Sequence, residues 1–211
     1  VILRELEFKE GDRLDMEALI ASQKRLYNLM AFRLVNIKWQ EVPGEPKAVE
    51  ILVEVQEEPR FAVSYGLRYS SEDKLEGFGK IDLTNLLGRG RNALLFYKQN
   101  QRQQIARFSL KDPYLMGARI STLYSFNYTK EKEFGFVSEE IGFSIQQDLP
   151  LPRPSSLSYL FRYNRLHTYE QESVGPSPFD IVFYLPEFQT FFLRDTRTSR
   201  LNAKQGLFSS L

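Results

Sequence analysis

The chain has 211 residues, no cysteine and a formal net charge of +1. That length carries one large domain or two small ones with a real core. The near-zero charge excludes a general nucleic-acid binder, which needs a basic surplus to displace counterions. The lack of cysteine excludes thiol catalysis, disulfides and zinc–thiolate sites. No apolar run reaches the roughly 20 residues of a membrane helix, and Val1-Ile2-Leu3-Arg4 reads as neither a signal peptide nor an initiator start, so a fragment or a processed chain is expected. Aromatic residues make up 14%, with 17 Phe and 11 Tyr against 1 Trp and 3 Met. That bias in an otherwise polar chain fits a sheet with one apolar face, turned to a core in water or to lipid in an outer membrane.

Residues 1–58 read as helix, helix, strand, strand. A short helix is expected from Val1 to about Lys9, with Ile2, Leu3 and Leu6 on one side and Gly11 ending it. Asp15 is placed to cap a second helix, with Glu17 in its first turn and Leu14 and Leu19 spaced for a hydrophobic staple. Leu19, Ile20, Leu26, Tyr27 and Met30 recur at helical spacing and form its expected buried face, with Lys24 and Arg25 left to solvent. From Phe32 the period changes to two: Val35, Ile37 and Trp39 share one face. After the Pro43-Gly44-Glu45-Pro46 turn, Val49, Ile51, Val53 and Val55 share another. Glu57-Glu58-Pro59 is the expected hinge.

From Phe61 onward the pattern is strand after strand. Phe61, Val63, Tyr65, Leu67 and Tyr69 alternate with Ala62, Ser64, Gly66, Arg68 and Ser70. The same alternation returns at Ile120–Thr129, Ile141–Gln146 and Leu157–Asn164, and less regularly near 77–86, 92–101, 103–112 and 180–195. Turn signals at Gly88-Arg89-Gly90, Asp112-Pro113, Pro150 to Pro154 and Gly175 to Pro178 separate them. This gives eight strands, with a ninth beginning in Gln205–Leu211. Such strands exceed the five or six residues usual in a soluble sandwich, yet the signal per strand is weak, and pattern alone leaves a membrane barrel and a soluble β-sandwich both open.

The order of short motifs decides between them. Leu3-Arg4-Glu5-Leu6, Glu10-Gly11-Asp12, Ser22-Gln23-Lys24-Arg25-Leu26-Tyr27 and Phe32-Arg33-Leu34-Val35 resemble the last POTRA domain of the BamA/TamA-type family of outer-membrane barrel assembly and translocation proteins. Val53-Glu54-Val55-Gln56-Glu57, Tyr65-Gly66-Leu67-Arg68-Tyr69, Asn85-Leu86-Leu87-Gly88-Arg89-Gly90 and Ser109-Leu110-Lys111-Asp112-Pro113-Tyr114 resemble that family's opening barrel strands. Arg194-Asp195-Thr196-Arg197 with Lys204-Gln205-Gly206 resembles its mid-barrel turn, where an aspartate precedes the turn and a glycine opens the next strand. The resemblance implies an α+β POTRA domain over residues 1–58, followed over 59–211 by the N-terminal half of an antiparallel transmembrane β-barrel, eight or nine of about sixteen strands. It departs from the family in three places. The first POTRA strand would precede Val1, the late-loop and closing-strand motifs have no counterpart, and Leu29-Met30-Ala31 stands where the family usually has a glycine turn.

What the resemblance implies about function is a non-enzymatic assembly factor in a Gram-negative outer membrane, its POTRA domain in the periplasm. It uses no cofactor and no metal. Its partners would be unfolded β-barrel clients, outer-membrane lipids and accessory lipoproteins or other POTRA-binding proteins. Clients would meet the POTRA edge strand at Val49, Ile51, Val53 and Val55, and then a lateral seam at the first barrel strand, Phe61, Val63, Tyr65, Gly66, Leu67 and Tyr69. The alternative is the membrane anchor or transporter of a secreted or fused effector. Other candidates carry less. Gly88-Arg89-Gly90-Arg91 lacks the lysine and helix of a phosphate loop and reads as a tight turn. His167, the single histidine, reads as a lumen or loop residue. Glu139-Glu140 point to opposite faces of a strand. Arg89, Arg91, Arg102 and Arg107 are placed to meet lipid phosphates at a membrane rim, or to be lumen or loop charge.

Overall fold

The structure, a computed structural model, describes residues 1–44, 48–71, 74–152, 154–170, 179–197 and 205–210. The chain divides into two compact units, Val1–Ala62 with Asp82–Asn92, and Val63–Ile81 with Ala93–Leu211.

In the first unit, α1 (Ile2–Glu5) and α2 (Met16–Asn28) precede two antiparallel strands, β1 (Phe32–Glu41) and β2 (Val49–Glu57). Asp15 caps α2 as its sequence position predicts, its carboxylate accepting from the Glu17 N–H at 2.9 Å. Leu26, Leu29, Ala31, Phe32 and Val35 form the buried core, with Ile2, Leu6, Ile37, Val53 and Val55 packed against it. Residues 82–92 belong to this unit. The Asn92 side chain donates to the Leu29 carbonyl at 2.8 Å, satisfying a carbonyl that the end of α2 leaves without a helical partner. Asn85 accepts from the Gly90 N–H at 2.9 Å, holding the 85–90 turn as a turn and not as a phosphate cradle.

The first helix is shorter than expected. Leu6 turns extended and the Glu7 N–H bonds to the buried Ser22 Oγ at 2.8 Å, so α2 takes the donor that a longer α1 would have used. Leu3 therefore lies exposed while Ile2 and Leu6 pack inward. On α2, Leu19 and Leu26 are buried as expected, but Ile20 and Tyr27, with Met30 beyond the helix end, are exposed.

The remaining strands form one sheet in the order β11-β10-β9-β8-β7-β6-β5-β4-β3. They are β3 (Phe61–Ser70), β4 (Lys74–Leu86), β5 (Arg91–Gln99), β6 (Gln103–Asp112), β7 (Ser121–Lys132), β8 (Phe136–Pro150), β9 (Ser155–Glu170), β10 (Asp180–Asp195) and β11 (Phe208–Ser210). All nine expected strands are present. Strands β8 and β9 run past their alternating centres at both ends and β7 past its second end only, to Lys132. Part of the 43–46 turn and the Gly175–Pro178 signal lie outside the described residues.

Two of the backbone positions at positive φ make the conformation readable by substitution. Met30 has φ 55°, the left-handed conformation that the absent glycine would accept freely. Met30→Gly is expected to stabilise the first unit by up to about 1 kcal/mol, measured by denaturant unfolding. Gly206 has φ 110°, and a β-carbon there would stand 2.4 Å from the Thr196 carbonyl oxygen. Gly206→Ala is expected to cost roughly 1–3 kcal/mol, seen as faster hydrogen exchange where Leu193–Asp195 pair with Phe208–Ser210.

Candidate functional site: open strand edges and an exposed aromatic face

In the first unit β2 pairs with β1 only, so among the described residues its other edge carries no strand. The Val53 and Val55 side chains pack on the core, and what this edge offers is backbone N–H and C=O. Beside it runs a groove of about 810 Å³ whose lining mixes apolar side chains such as Leu6, Leu19 and Ile51 with the charged residues of the 9–15 loop and Glu50. The edge of β1 is different. Tyr27 Oη accepts from the Val35 N–H at 3.1 Å, and Gln23 Nε2 donates to the Val35 carbonyl at 2.8 Å. Two side chains of α2 thus fill the bonds a neighbouring strand would make at Val35. Across the pair, Lys38 bonds Glu54 at 2.9 Å and holds its carboxyl below the usual carboxylate range.

In the second unit β3 is the sheet's edge. Phe61, Val63, Tyr65, Leu67 and Tyr69 are all exposed, Tyr65 at 84% and Leu67 at 80%, more than any aromatic in the middle of the sheet. Gly66 is on the opposite, polar face. A β-carbon there would lie 2.5 Å from Cε1 of Phe78, so it is an aromatic ring of β4, and not another backbone, that uses the space Gly66 leaves. The same face holds a group that the sequence reading did not find. Glu76, almost fully buried, is bonded by Lys98 at 2.9 Å, Arg68 at 3.2 Å and Asn100 at 3.3 Å. This ties β3, β4 and β5 together through side chains. Its signal was the even-numbered register that Arg68, Glu76 and Lys98 share, obscured by the poor alternation of β4.

Across the sheet, directly paired residues share a face. One row runs Phe108, Phe126, Phe143, Tyr163, and the next Leu110, Tyr124, Ile145, Phe161, Phe188. Phe108, Phe126, Phe143 and Tyr163 are 41–46% exposed, so this face is not covered by a second layer. The opposite face carries Ser109, Ser125, Ser144 and Arg162. His167 belongs to the aromatic face, paired in register with Glu139 and bonded to Asp180 at 2.7 Å, which corrects the lumen or loop expectation. Beside it Lys130 bonds Glu139 at 2.5 Å and Tyr169 at 3.2 Å. Arg107 lies on the polar face over the Phe96 ring, away from any aromatic rim. Arg102 sits in the turn between β5 and β6.

No family model matches the chain. Among curated proteins it is similar to the outer membrane protein assembly factor BamA of Nitratidesulfovibrio vulgaris (strain Hildenborough), 27% identical over 172 residues, which are 81% of this chain and 21% of that protein. Among solved structures it is similar to BamA from Haemophilus ducreyi lacking POTRA domains 1–3, with a TM-score of 0.60, 16% identity and coverage of 96% of this chain and 42% of that one. It is also similar to CdiB from Acinetobacter baumannii, with a TM-score of 0.54, 10% identity and coverage of 90% and 39%. The fold is therefore that of the outer-membrane barrel proteins. The resemblance read from the ordered motifs stands: the chain is similar to BamA/TamA-type proteins in sequence and in fold. It spans about a fifth of the curated relative and about two fifths of each solved chain.

The contact between Gly66 and Phe78 is testable by a double-mutant cycle. Gly66→Ala is expected to cost about 1 kcal/mol with Phe78 present and close to nothing in a Phe78→Ala background, because the clash is with the ring. Additive losses would show that Gly66 matters for backbone freedom and not for the ring.

Proposed function

We propose that residues 1–58 are a POTRA-type domain in the periplasm and residues 59–211 the opening strands of an outer-membrane barrel that inserts or assembles β-barrel clients without enzymatic chemistry. The observation that carries this reading is the aromatic face. Four ring positions in one cross-strand row stand 41–46% exposed, where a soluble sandwich would pack a second sheet over them. A lipid phase supplies that cover, and the serine- and arginine-bearing face then borders a polar lumen. The similarity to a protein named an assembly factor favours assembly over the effector-anchor alternative.

The proposed mechanism uses backbone edges. A client segment adds to β2 at Val49, Ile51, Val53 and Val55 by β-augmentation, with alternate side chains reaching the groove beside it. The plugging of β1 at Val35 supports β2 as the open side. At the seam, β3 offers the client unpaired donors and acceptors at Phe61–Tyr69, groups that cost several kcal/mol each when left unmet in lipid. That cost favours capture of a strand there, and client folding supplies the drive. Outer-membrane lipids, accessory lipoproteins and other POTRA-binding proteins complete the proposed set of partners.

Phe143→Arg is expected to cost about 2–4 kcal/mol for folding into lipid, while Ser144→Arg on the other face is far milder. Equal losses at the two neighbours, read by folding into bilayers, would sink the lipid-facing assignment. Proline at Gly66 or Leu67 in the full-length protein is expected to abolish client assembly with the first unit still folded, since proline removes a ladder donor. Photocrosslinkers along Phe61–Tyr69 and Val49–Val55 are expected to capture client strands. Adducts of Val49–Val55 only with an earlier stretch of the same polypeptide would instead assign that edge to the POTRA domain's own first strand.

A further inference from the structure

Glu76 stands on β4 between two cations that reach it from the strands on either side, Arg68 of β3 at 3.2 Å and Lys98 of β5 at 2.9 Å. Its carboxylate is almost fully buried, and the Asn100 amide donates to it at 3.3 Å. Three successive contacts put β3 and β4 in one register: Gly66 beside Phe78, Leu67 beside Gly77 and Arg68 beside Glu76. The bond from the Thr84 N–H to the Arg60 carbonyl, 2.9 Å, falls in the same register toward the start of β3. Neutralising Glu76 would therefore do more than remove an attraction. It would leave Arg68 and Lys98 converging on β4 with like charge and push the second end of β3 away from the sheet. The Arg68 side chain is 63% exposed and that of Lys98 24%, so water weakens the first bond more than the second.

We propose that Glu76 is a positioning residue for strand capture: it holds β3 in register on β4, so that the other edge of β3 meets a client strand in line. This role rests on the reading of β3 as the capture edge. A client strand adding along Phe61–Tyr69 loads β3 sideways, and among the described residues β4 is the strand that holds it. The Phe78 ring over Gly66 resists separation by packing. The Glu76 bridge resists slip as well. A shift of one residue would carry Arg68 to the aromatic face and leave the acid to Lys98 and Asn100. Glu76 touches no client; it acts through Arg68 on the strand that does.

The test uses the full-length protein in dilauroylphosphatidylcholine liposomes, with an unfolded eight-stranded outer-membrane barrel protein added from urea as the client. Heat-modifiable migration reports the folding of the client and of each variant's own barrel. Glu76→Gln is expected to slow client folding on the order of tenfold, as for a lost bond to a buried charge, with its own barrel folded. Arg68→Gln removes the more hydrated bond and is expected to slow it about threefold; it carries the test should Glu76→Gln not fold. Ser64 and Lys80 oppose each other in the shared register, and the 211 residues contain no cysteine. Ser64→Cys with Lys80→Cys can therefore tie β3 to β4, since directly opposed residues lie about 4.5–5.5 Å apart at Cα, within reach of a disulfide. In either slowed background, oxidising this pair is expected to restore client folding to the rate of the same pair with Arg68 and Glu76 in place, and reducing it to remove the rescue. Unslowed folding in both single variants, or slowing that the disulfide does not rescue, would overturn the positioning role and leave β3 as the capture edge. Loss of client folding on oxidation with Arg68 and Glu76 in place would also overturn it, because β3 would then have to part from β4. Wild-type protein that folds the client no faster than empty liposomes would overturn the assembly reading and this role together.

Discussion

The register of the antiparallel ladder is the constraint on which the rest of this structure depends. Because side chains alternate strictly along each strand, a slip of one residue between any two neighbours would move a whole set of rings to the polar face. From β6 to β10 the pairing is continuous, and from β6 to β9 one row keeps ring beside ring: Phe108 with Phe126, Phe126 with Phe143, Phe143 with Tyr163; across β9 and β10 the next row pairs Phe161 with Phe188. The ladder therefore turns a weak pattern in each strand into a continuous apolar surface. It also places Lys130, Glu139 and His167 in one row at the margin of that surface, where charged groups can stay hydrated while their neighbours are not.

At the edge of the sheet the ladder stops, and other interactions have to hold the last strand in place. Among the described residues strand β3 has a neighbouring strand on one side only. On its polar face it is held from β4 and β5 by the buried Glu76 with its ring of Arg68, Lys98 and Asn100, and by Phe78 over Gly66. A buried carboxylate left with one partner fewer would be strongly destabilising, so this network resists any movement that separates β3 from β4. The two edges of β3 are thus unequal. One is fastened through side chains as well as backbone, and the other is bare and flanked by Tyr65 and Leu67, the most exposed large side chains of the strand.

Much of this was legible in the sequence wherever alternation and turn chemistry agreed. The bounds 103–112 and 180–195 were read from turn chemistry despite their less regular alternation. The aspartate-then-glycine motif at Asp195 and Gly206 likewise marked a turn whose geometry only glycine fits. What was missed depends on tertiary partners. The early end of α1 follows from Ser22, fifteen residues away, taking the Glu7 N–H. The exposure of Tyr27 goes with its hydroxyl bonding the Val35 backbone, a contact that helical spacing alone does not signal. His167 was misplaced because a histidine in a polar stretch carries no sign of its face until the register through Glu139 is known. Glu76 escaped notice because a lone acid in a poorly alternating strand looks solvated until its three partners converge on it.

The contrast between the edges of β1 and β2 shows that exposure here is selective. Unpaired strand edges invite non-specific association, and proteins that keep them blunt them by covering, charging or twisting. On β1 the covering is specific to one residue: Tyr27 and Gln23 reach from α2 to the N–H and C=O of Val35 and leave nothing for an incoming strand to bond at that point. That tyrosine has left the core stripe of its own helix to do so, and Met30 just after it is held in a conformation that methionine disfavours. Helix α2 thus uses a large aromatic at one backbone position of β1, while among the described residues no strand pairs with the outer edge of β2, beside a groove of mixed apolar and charged lining. At Val35 an incoming strand would therefore find both backbone groups of β1 already bonded, whereas on β2 no strand covers the outer edge among the described residues.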